Sequence, residues 1–134
     1  MNKIFVIIFL FGLVSGCSNT TWREASREPA GIAADPTIQK NAVIEVYAAD
    51  AFSWRGWFAV HTWIAVKPED AAEYIVYEVV GWGVKRGLPA LREYKTATPD
   101  RYWYGAKQIQ VLSIQGVKAS EVITKISDAV AGYL

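Results

Sequence analysis

The chain has 134 residues, of which 52% are hydrophobic, with 14 lysines and arginines, 13 aspartates and glutamates and one histidine. This near balance of charge excludes a basic surface of the kind that binds nucleic acid or anionic lipid through charge alone. The length is enough for one small domain with one core.

The N-terminal residues have the features of a bacterial lipoprotein signal. Lys3 precedes an apolar run from Ile4 to Leu13, which is shorter than the ~20 residues of a spanning helix and has the length of the hydrophobic region of an export signal. The run from Val14 to Cys17, Val-Ser-Gly-Cys, follows and resembles a lipobox, in which an aliphatic and two small residues precede the cysteine that is acylated. We predict that residues 1–17 are a lipoprotein signal peptide ending at lipidated Cys17.

Lipidation would modify the chain's one cysteine and would attach the protein to a membrane. Because Cys17 is the only cysteine, we expect no disulfide, no thiolate nucleophile and no cysteine metal site. A single acyl chain anchors weakly, at about 0.8 kcal/mol per methylene, whereas a cysteine that carries several chains such as palmitate is held stably. We therefore predict a lipid anchor in a bacterial membrane. In a Gram-negative cell, Ser18 after the cysteine suits the periplasmic face of the outer membrane.

The first predicted elements after the signal are a tether and two strands. Residues 18–40 are polar and small, contain Pro29 and Pro36 and have no sustained apolar period, which indicates a flexible tether. Residues 41–50, NAVIEVYAAD, alternate with a period of two and predict a strand. A turn at AFSWRGW separates it from a second predicted strand over residues 57–67, WFAVHTWIAVK.

The residue pattern in the second half of the chain predicts two or three further strands and a helix. The evenly hydrophobic residues 73–82 indicate a strand buried on both faces, and we expect the strands on either side of the loop 84–100 to pair. The short segment RYWYG, 101–105, is a candidate strand, and KQIQVLSIQG, 107–116, is a further one. Residues 118–134 have apolar side chains at helical spacing and predict an amphipathic helix.

These elements predict a single α+β domain over residues 41–134. A small antiparallel sheet of four to five strands would have the C-terminal amphipathic helix packed on one face. One helix leaves the other face of the sheet thinly covered, which indicates a missing element or a partner. Two alternatives follow: the domain is complete, or it is a version of a longer domain truncated at the C-terminus.

The one histidine lies in the second predicted strand. Alternation places His61 on the same face as Trp63 and two alanines, where small neighbours leave room for another group. A histidine fixed on a strand can act as a general base, and Glu78 on the third strand or Glu45 on the first could accept its ring N–H. The alternative, which the spacing favours, is a structural histidine bonded to a backbone carbonyl, to Tyr77 or to Glu78.

A histidine base also needs a nucleophile, and the chain has few candidates. No serine lies in a G-x-S-x-G context, and the hydroxyl candidates are the threonines and Ser53, Ser113, Ser120 and Ser127. One histidine with scattered carboxylates does not make a zinc site, and GWGVKRG lacks the spacing of a phosphate-binding loop. We predict no complete triad, no metal site and no cofactor in this chain.

Aromatic residues are the other concentrated feature. Trp63, Trp82 and Trp103 lie in or beside the predicted sheet. Aromatic rings that line a concave surface bind sugars, peptides or lipid tails, so these three tryptophans are candidate ligand-binding residues for peptidoglycan, peptide or lipid. Alternatively, they fill the core of a small domain and cover the edges of its sheet.

The motifs WRGWFAVHTWIAVK and YEVVGWG, with PDRYWYG after them, resemble an uncharacterised bacterial family, the domain of unknown function 3750. The resemblance extends from about Val43 to the end of the chain. It implies a membrane-associated or lipid-anchored domain, usually longer than this chain, and no established activity.

A more remote resemblance concerns the histidine strand, H-x-W-I-A-V, which is followed by another strand and later by a helix. This arrangement is similar to the circularly permuted NlpC/P60 papain-like group. The resemblance implies a hydrolase or acyltransferase acting on lipids or peptides, with His61 as base, a polar orienting residue on the next strand and a nucleophile beyond Leu134.

Three hypotheses for the function follow from the sequence. The leading one is an uncharacterised lipid-anchored envelope protein that is non-catalytic as it stands. The second is the papain-like enzyme, with His61 and Glu78 as its catalytic residues. The third is an envelope binding module that uses an aromatic groove.

Overall fold

A computed structural model describes residues 21–133, and within them the chain forms one five-stranded antiparallel sheet and one long helix. The strands follow the order β4-β3-β2-β1-β5 across the sheet. Their bounds are β1 Val43–Asp50, β2 Val60–Lys67, β3 Tyr74–Val79, β4 Leu91–Thr96 and β5 Ile109–Gln115, and the helix α1 is Val117–Tyr133. Two 3-10 helices, Ser53–Trp57 and Gly81–Arg86, connect β1 to β2 and β3 to β4. The predicted α+β class, with a helix on one face of an antiparallel sheet, is confirmed.

Side-chain alternation along the strands produces two separate cores, one on each face of the sheet. On the first face, which we call the aromatic face, the buried residues are Val43, Tyr47, Ala49, Trp63, Ala65, Tyr74 and Val76. On the second, the helix face, buried strand residues pack against Ala119 and Ile123 of α1. Both faces of the inner strands are therefore apolar, which explains why their sequences are almost continuously hydrophobic.

Irregular segments cover the aromatic face. Asp100 is buried, and its Oδ2 accepts hydrogen bonds from the backbone N–H groups of Ile32 at 2.6 Å and Ala33 at 3.1 Å. The hydroxyl of Tyr74 donates to the carbonyl of Ala34 at 3.1 Å. These bonds hold the described part of the predicted tether against the sheet, while the tether over residues 18–40 stays a prediction. The predicted signal peptide and Cys17 lie outside the described residues.

Two details of the strand prediction are wrong. The loop predicted over residues 84–100 contains β4, which pairs with β3, and β5 pairs with β1 instead of with β3. The candidate strand RYWYG forms only isolated bridges, Pro29 with Arg101 and Trp103 with Ala106. The sequence of β4, LREYKT, is largely polar because this strand lies at the edge of the sheet, so a search for apolar alternation does not detect it.

The two outer strands differ in their chemistry. The β4 strand carries Arg92, Glu93 and Lys95, whereas β5 has no charged residue. Within residues 21–133, no further strand pairs with the outer side of either one. The pairing of β5 with β1 shifts at one point, because Gln110 is opposite Tyr47 and Leu112 is opposite Val46, so that Val111 is an extra residue. This arrangement is a β-bulge.

In the part of the chain that the structure describes, no helix has the length and apolar character that a membrane crossing requires.

Candidate functional site

His61 lies near the start of β2 and faces a carboxylate on the neighbouring strand. Its Nε2 is 3.0 Å from Oε2 of Glu78, and the two side chains are only 11% and 8% exposed. In the sheet, Glu78 is directly opposite Trp63, two residues along β2 from His61. Both side chains therefore point to the aromatic face and meet diagonally. The structure brings together the two residues that we selected as a candidate pair.

Two tryptophans fix the direction of the imidazole ring. The ring of Trp103 stacks on His61 with centroids 3.5 Å apart and an interplanar angle of 12°. Trp63, on the same strand, lies 5.8 Å away at 27°. Contact at 3.5 Å leaves no space for a ligand between His61 and Trp103, so one side of the imidazole is closed to substrate.

The second ring nitrogen of His61 remains open. Within residues 21–133, Nδ1 has no hydrogen-bond partner, and the one buried side-chain nitrogen or oxygen without a partner is Oε1 of Gln108. Nδ1 therefore retains contact with solvent. When Glu78 accepts the N–H of Nε2, the lone pair of the neutral ring lies on Nδ1, where it can accept a proton.

The alternative partner for His61, Glu45, belongs to a different polar pair. Its Oε2 accepts a hydrogen bond from the hydroxyl of Tyr47 at 2.7 Å in the buried core. In register Glu45 is opposite Ala65, whereas His61 is opposite Ala49 at the other end of β1. Burial raises the pKa of Glu45, and the bond from Tyr47 partly opposes that shift. Burial, and then the bond to Glu45, raise the pKa of Tyr47.

Among residues 21–133, none of the predicted hydroxyl nucleophiles forms a hydrogen bond with His61. Ser120 and Ser127 lie on α1, which packs on the opposite face of the sheet. Ser113 is opposite Glu45 on β5, and Ser53 lies in the first 3-10 helix. Residues 21–133 contain no cysteine, and among them no group of three or more histidine, cysteine, aspartate or glutamate side chains could hold a metal ion.

The three tryptophans proposed as ligand-binding residues come together, but they differ in exposure. Trp103 lies 6.3 Å from Trp63 and 5.8 Å from Trp82 between ring centroids. Trp63 belongs to the buried core, and its Nε1 donates to the carbonyl of Pro99 at 2.9 Å. Trp82 is 49% exposed. Of these three tryptophans, only Trp82 is exposed enough to offer aromatic surface to a ligand, next to the half-buried Tyr104, 5.3 Å away.

A groove on the helix face was not predicted. A mostly apolar cavity of about 670 Å³ lies between α1 and the central strands, with Val46, Ile64, Tyr77 and Val130 among its lining residues. It forms because α1 packs on β1 and β5 and leaves the strands beyond them partly uncovered. The alternating apolar residues of β2 and β3 were the available signal, but the position of the helix over the sheet could not be inferred from them.

Comparison with known proteins gives one match. A family model described as a protein of unknown function (DUF3750) matches residues 41–134. No curated protein and no solved structure matches the chain.

Proposed function

The chain belongs to the DUF3750 family, and from that premise we propose that it is a lipid-anchored bacterial envelope protein whose domain carries the base of a papain-like acyl-transfer site. The observation that carries the proposal is the 3.0 Å contact between Nε2 of His61 and Oε2 of Glu78. A base that is oriented by a carboxylate and has its other nitrogen open is the arrangement that hydrolases and acyltransferases of this type require. The remote likeness to the permuted NlpC/P60 group supports the same assignment.

Each residue of the pair has a distinct role in the proposed chemistry. Glu78 accepts the N–H of Nε2 and keeps the lone pair on Nδ1. His61 then takes the proton of a thiol or hydroxyl as that group attacks an acyl carbon, and returns the proton to the leaving group. Trp103 holds the ring by stacking on it. The nucleophile comes from outside residues 21–133, so this part of the chain is non-catalytic by itself.

The reactivity of the chain's single histidine tests the proposal. The acylated protein, purified in detergent, is treated with p-nitrophenyl acetate, and acetylation of His61 is followed by release of p-nitrophenol and by mass spectrometry. We expect His61→Gln to remove the fast phase of p-nitrophenol release, leaving the slower acetylation of lysines, and Glu78→Gln to slow that phase, because the carboxylate that stabilises the positively charged ring is lost. Glu93→Gln, an exposed carboxylate on β4, is the matched control. Equal rates in the wild type and His61→Gln would refute the proposal.

The lipid anchor is a separate part of the proposal and rests on the sequence from Val14 to Cys17. Metabolic labelling with a palmitate analogue should label the wild-type protein and not Cys17→Ser. If the variant is labelled and sediments with membranes like the wild type, the anchor assignment fails.

A binding module remains the second candidate because Trp82 presents half of its surface next to Tyr104. Under this hypothesis, Trp82→Ala weakens retention on peptidoglycan or lipid vesicles, while His61→Ala has no effect. Unchanged retention of Trp82→Ala would contradict this hypothesis.

A further inference from the structure

Two short helices with unusually exposed apolar residues lie at one end of the sheet. Because the strands are antiparallel, β1 and β3 finish at the same end at which β2, β4 and β5 begin. The 3-10 helices Ser53–Trp57 and Gly81–Arg86 both lie there, and we call this region the turn end. The opposite end of the sheet contains the turn between β2 and β3, with the acidic residues Glu69 and Asp70.

The turn end exposes large side chains that water solvates poorly. Trp57 is 84% exposed and Phe58 75% exposed, although residues of this size are normally well buried. Further apolar residues that are about half exposed or more extend the surface across both helices: Trp54, Val60, Trp82, Val84 and Leu88. A surface that combines this many exposed apolar groups indicates an interaction site.

The charges of the turn end suit a lipid surface. The sequences of the two helices, SWRGW and GWGVKR, contain Arg55, Lys85 and Arg86 and no acidic residue. The guanidinium of Arg55 lies 4.9 Å from the ring of Trp54. Tryptophan next to lysine and arginine is typical of the boundary between lipid headgroups and acyl chains.

The N-terminal segment reaches the same end of the sheet. Tyr104 contacts Phe52 and Trp82, with ring centroids 5.7 Å and 5.3 Å away, and so joins the two helices. The guanidinium of Arg27 lies 4.2 Å from the ring of Tyr104. Arg27 also donates to the carbonyl of Trp22 at 3.3 Å, so the first described residues lie near the turn end.

Cys17 is only a few residues along the chain from the first described residue. Thr21 follows Cys17 by four positions, a separation that an extended chain covers in at most about 14 Å. An acyl group on Cys17 would therefore keep the turn end within reach of the bilayer.

We propose that the turn end lies on the membrane, with Trp54, Trp57 and Phe58 inserted at the boundary between headgroups and acyl chains. This inference rests on the lipid anchor of the proposed function. It adds a fixed orientation of the domain relative to the bilayer, with the acidic turn between β2 and β3 pointing away from it.

Spin labels at the two ends of the sheet test the orientation. Phe58→Cys and its control Glu69→Cys are labelled with a nitroxide in the acylated protein, which is reconstituted into phosphatidylcholine and phosphatidylglycerol vesicles. Both positions are exposed, so neither change should disturb the fold. We expect the label at position 58 to collide more often with oxygen than with a water-soluble nickel chelate, and the label at position 69 to show the reverse.

The outcomes separate this inference from the anchor on which it rests. If mass spectrometry finds lipid on Cys17 and both labels report water, the orientation is wrong and the anchor stands. If the label at position 58 is mobile in vesicles but immobile in native envelope membranes, a protein partner covers the turn end and the inference is overturned. If Cys17 carries no lipid and the protein fails to bind the vesicles, both proposals fail together.

Discussion

The imidazole of His61 is oriented by neighbours from three different segments of the chain. Its position on β2 selects the aromatic face, Glu78 on β3 engages Nε2, and Trp103 from the segment between β4 and β5 closes one side of the ring. Because these contacts restrict the side-chain rotamers of the histidine, it loses little further conformational entropy when it acts as a base. This is the advantage of a preorganised site. The same restraint would also suit a purely structural histidine. The reactivity of Nδ1 therefore distinguishes the two roles.

Glu45 gives the clearest prediction for the dependence of stability on pH. Because burial raises the pKa of Glu45, the folded protein binds more protons than the unfolded chain between the unfolded pKa and the raised folded pKa. This contribution to the free energy of unfolding is fully present below the unfolded pKa and is lost as pH rises through the window.

Glu45→Gln should remove this pH-dependent loss of stability, because the neutral amide does not titrate. Its oxygen can still accept the hydrogen bond from Tyr47. We expect the variant to match the wild type in acid and to exceed it in melting temperature at neutral pH. Thermal unfolding followed by circular dichroism at a series of pH values measures the difference. Glu93→Gln, on the exposed face of β4, is the control, and a difference for Glu45→Gln that does not grow with pH contradicts the prediction.

The helix α1 depends on a small apolar contact with the sheet. Ile123 is buried against Ile44, Val66 and Tyr77, and the adjacent groove allows some relaxation if its side chain is shortened. We expect Ile123→Ala to lower the free energy of unfolding by about 2–3 kcal/mol, at the lower end of the range for such core truncations.

Urea unfolding measures the effect of Ile123→Ala. The control is Thr124→Ala at the next, exposed position of the helix, which should change stability by less than about 0.5 kcal/mol. Equal losses in the two variants would mean that the helix does not use this face for packing.

Most of the elements, but not their arrangement, could be predicted from the sequence. Period-two alternation identified β1, β2 and β5, even hydrophobicity identified β3, and the spacing of apolar residues identified α1. The meeting of His61 and Glu78 was one of the alternatives that the sequence left open, because Glu45 on β1 was an equally eligible carboxylate. The stacking of Trp103 on His61 did not follow, since its segment is positioned by bonds between Asp100 and residues almost 70 positions away.

Asp100 connects the N-terminal segment to the sheet. Its carboxylate, in a residue only 2% exposed, receives the N–H groups of Ile32 and Ala33. Asp100→Ala would leave both donors without a partner, at a cost of about 1–3 kcal/mol. We expect faster hydrogen exchange at these two amides and earlier proteolysis of residues 21–34. Asp128→Ala, on the exposed side of α1, is the control, and unchanged exchange in Asp100→Ala would show that other contacts hold the segment.

The bulge at Val111 has a consequence for how copies of this protein behave together. An outer strand that is flat and uncharged offers its backbone groups as a template for the strand of another molecule, which is how sheets fuse into fibres. The charges of β4 oppose such stacking, but β5 has none, so the one extra residue in its pairing with β1 is what interrupts the regular row of donors and acceptors. Within the described residues, the feature that opposes such pairing on this side is a surplus residue instead of a repelling charge. A chain that lost it could keep both cores and still associate edge to edge.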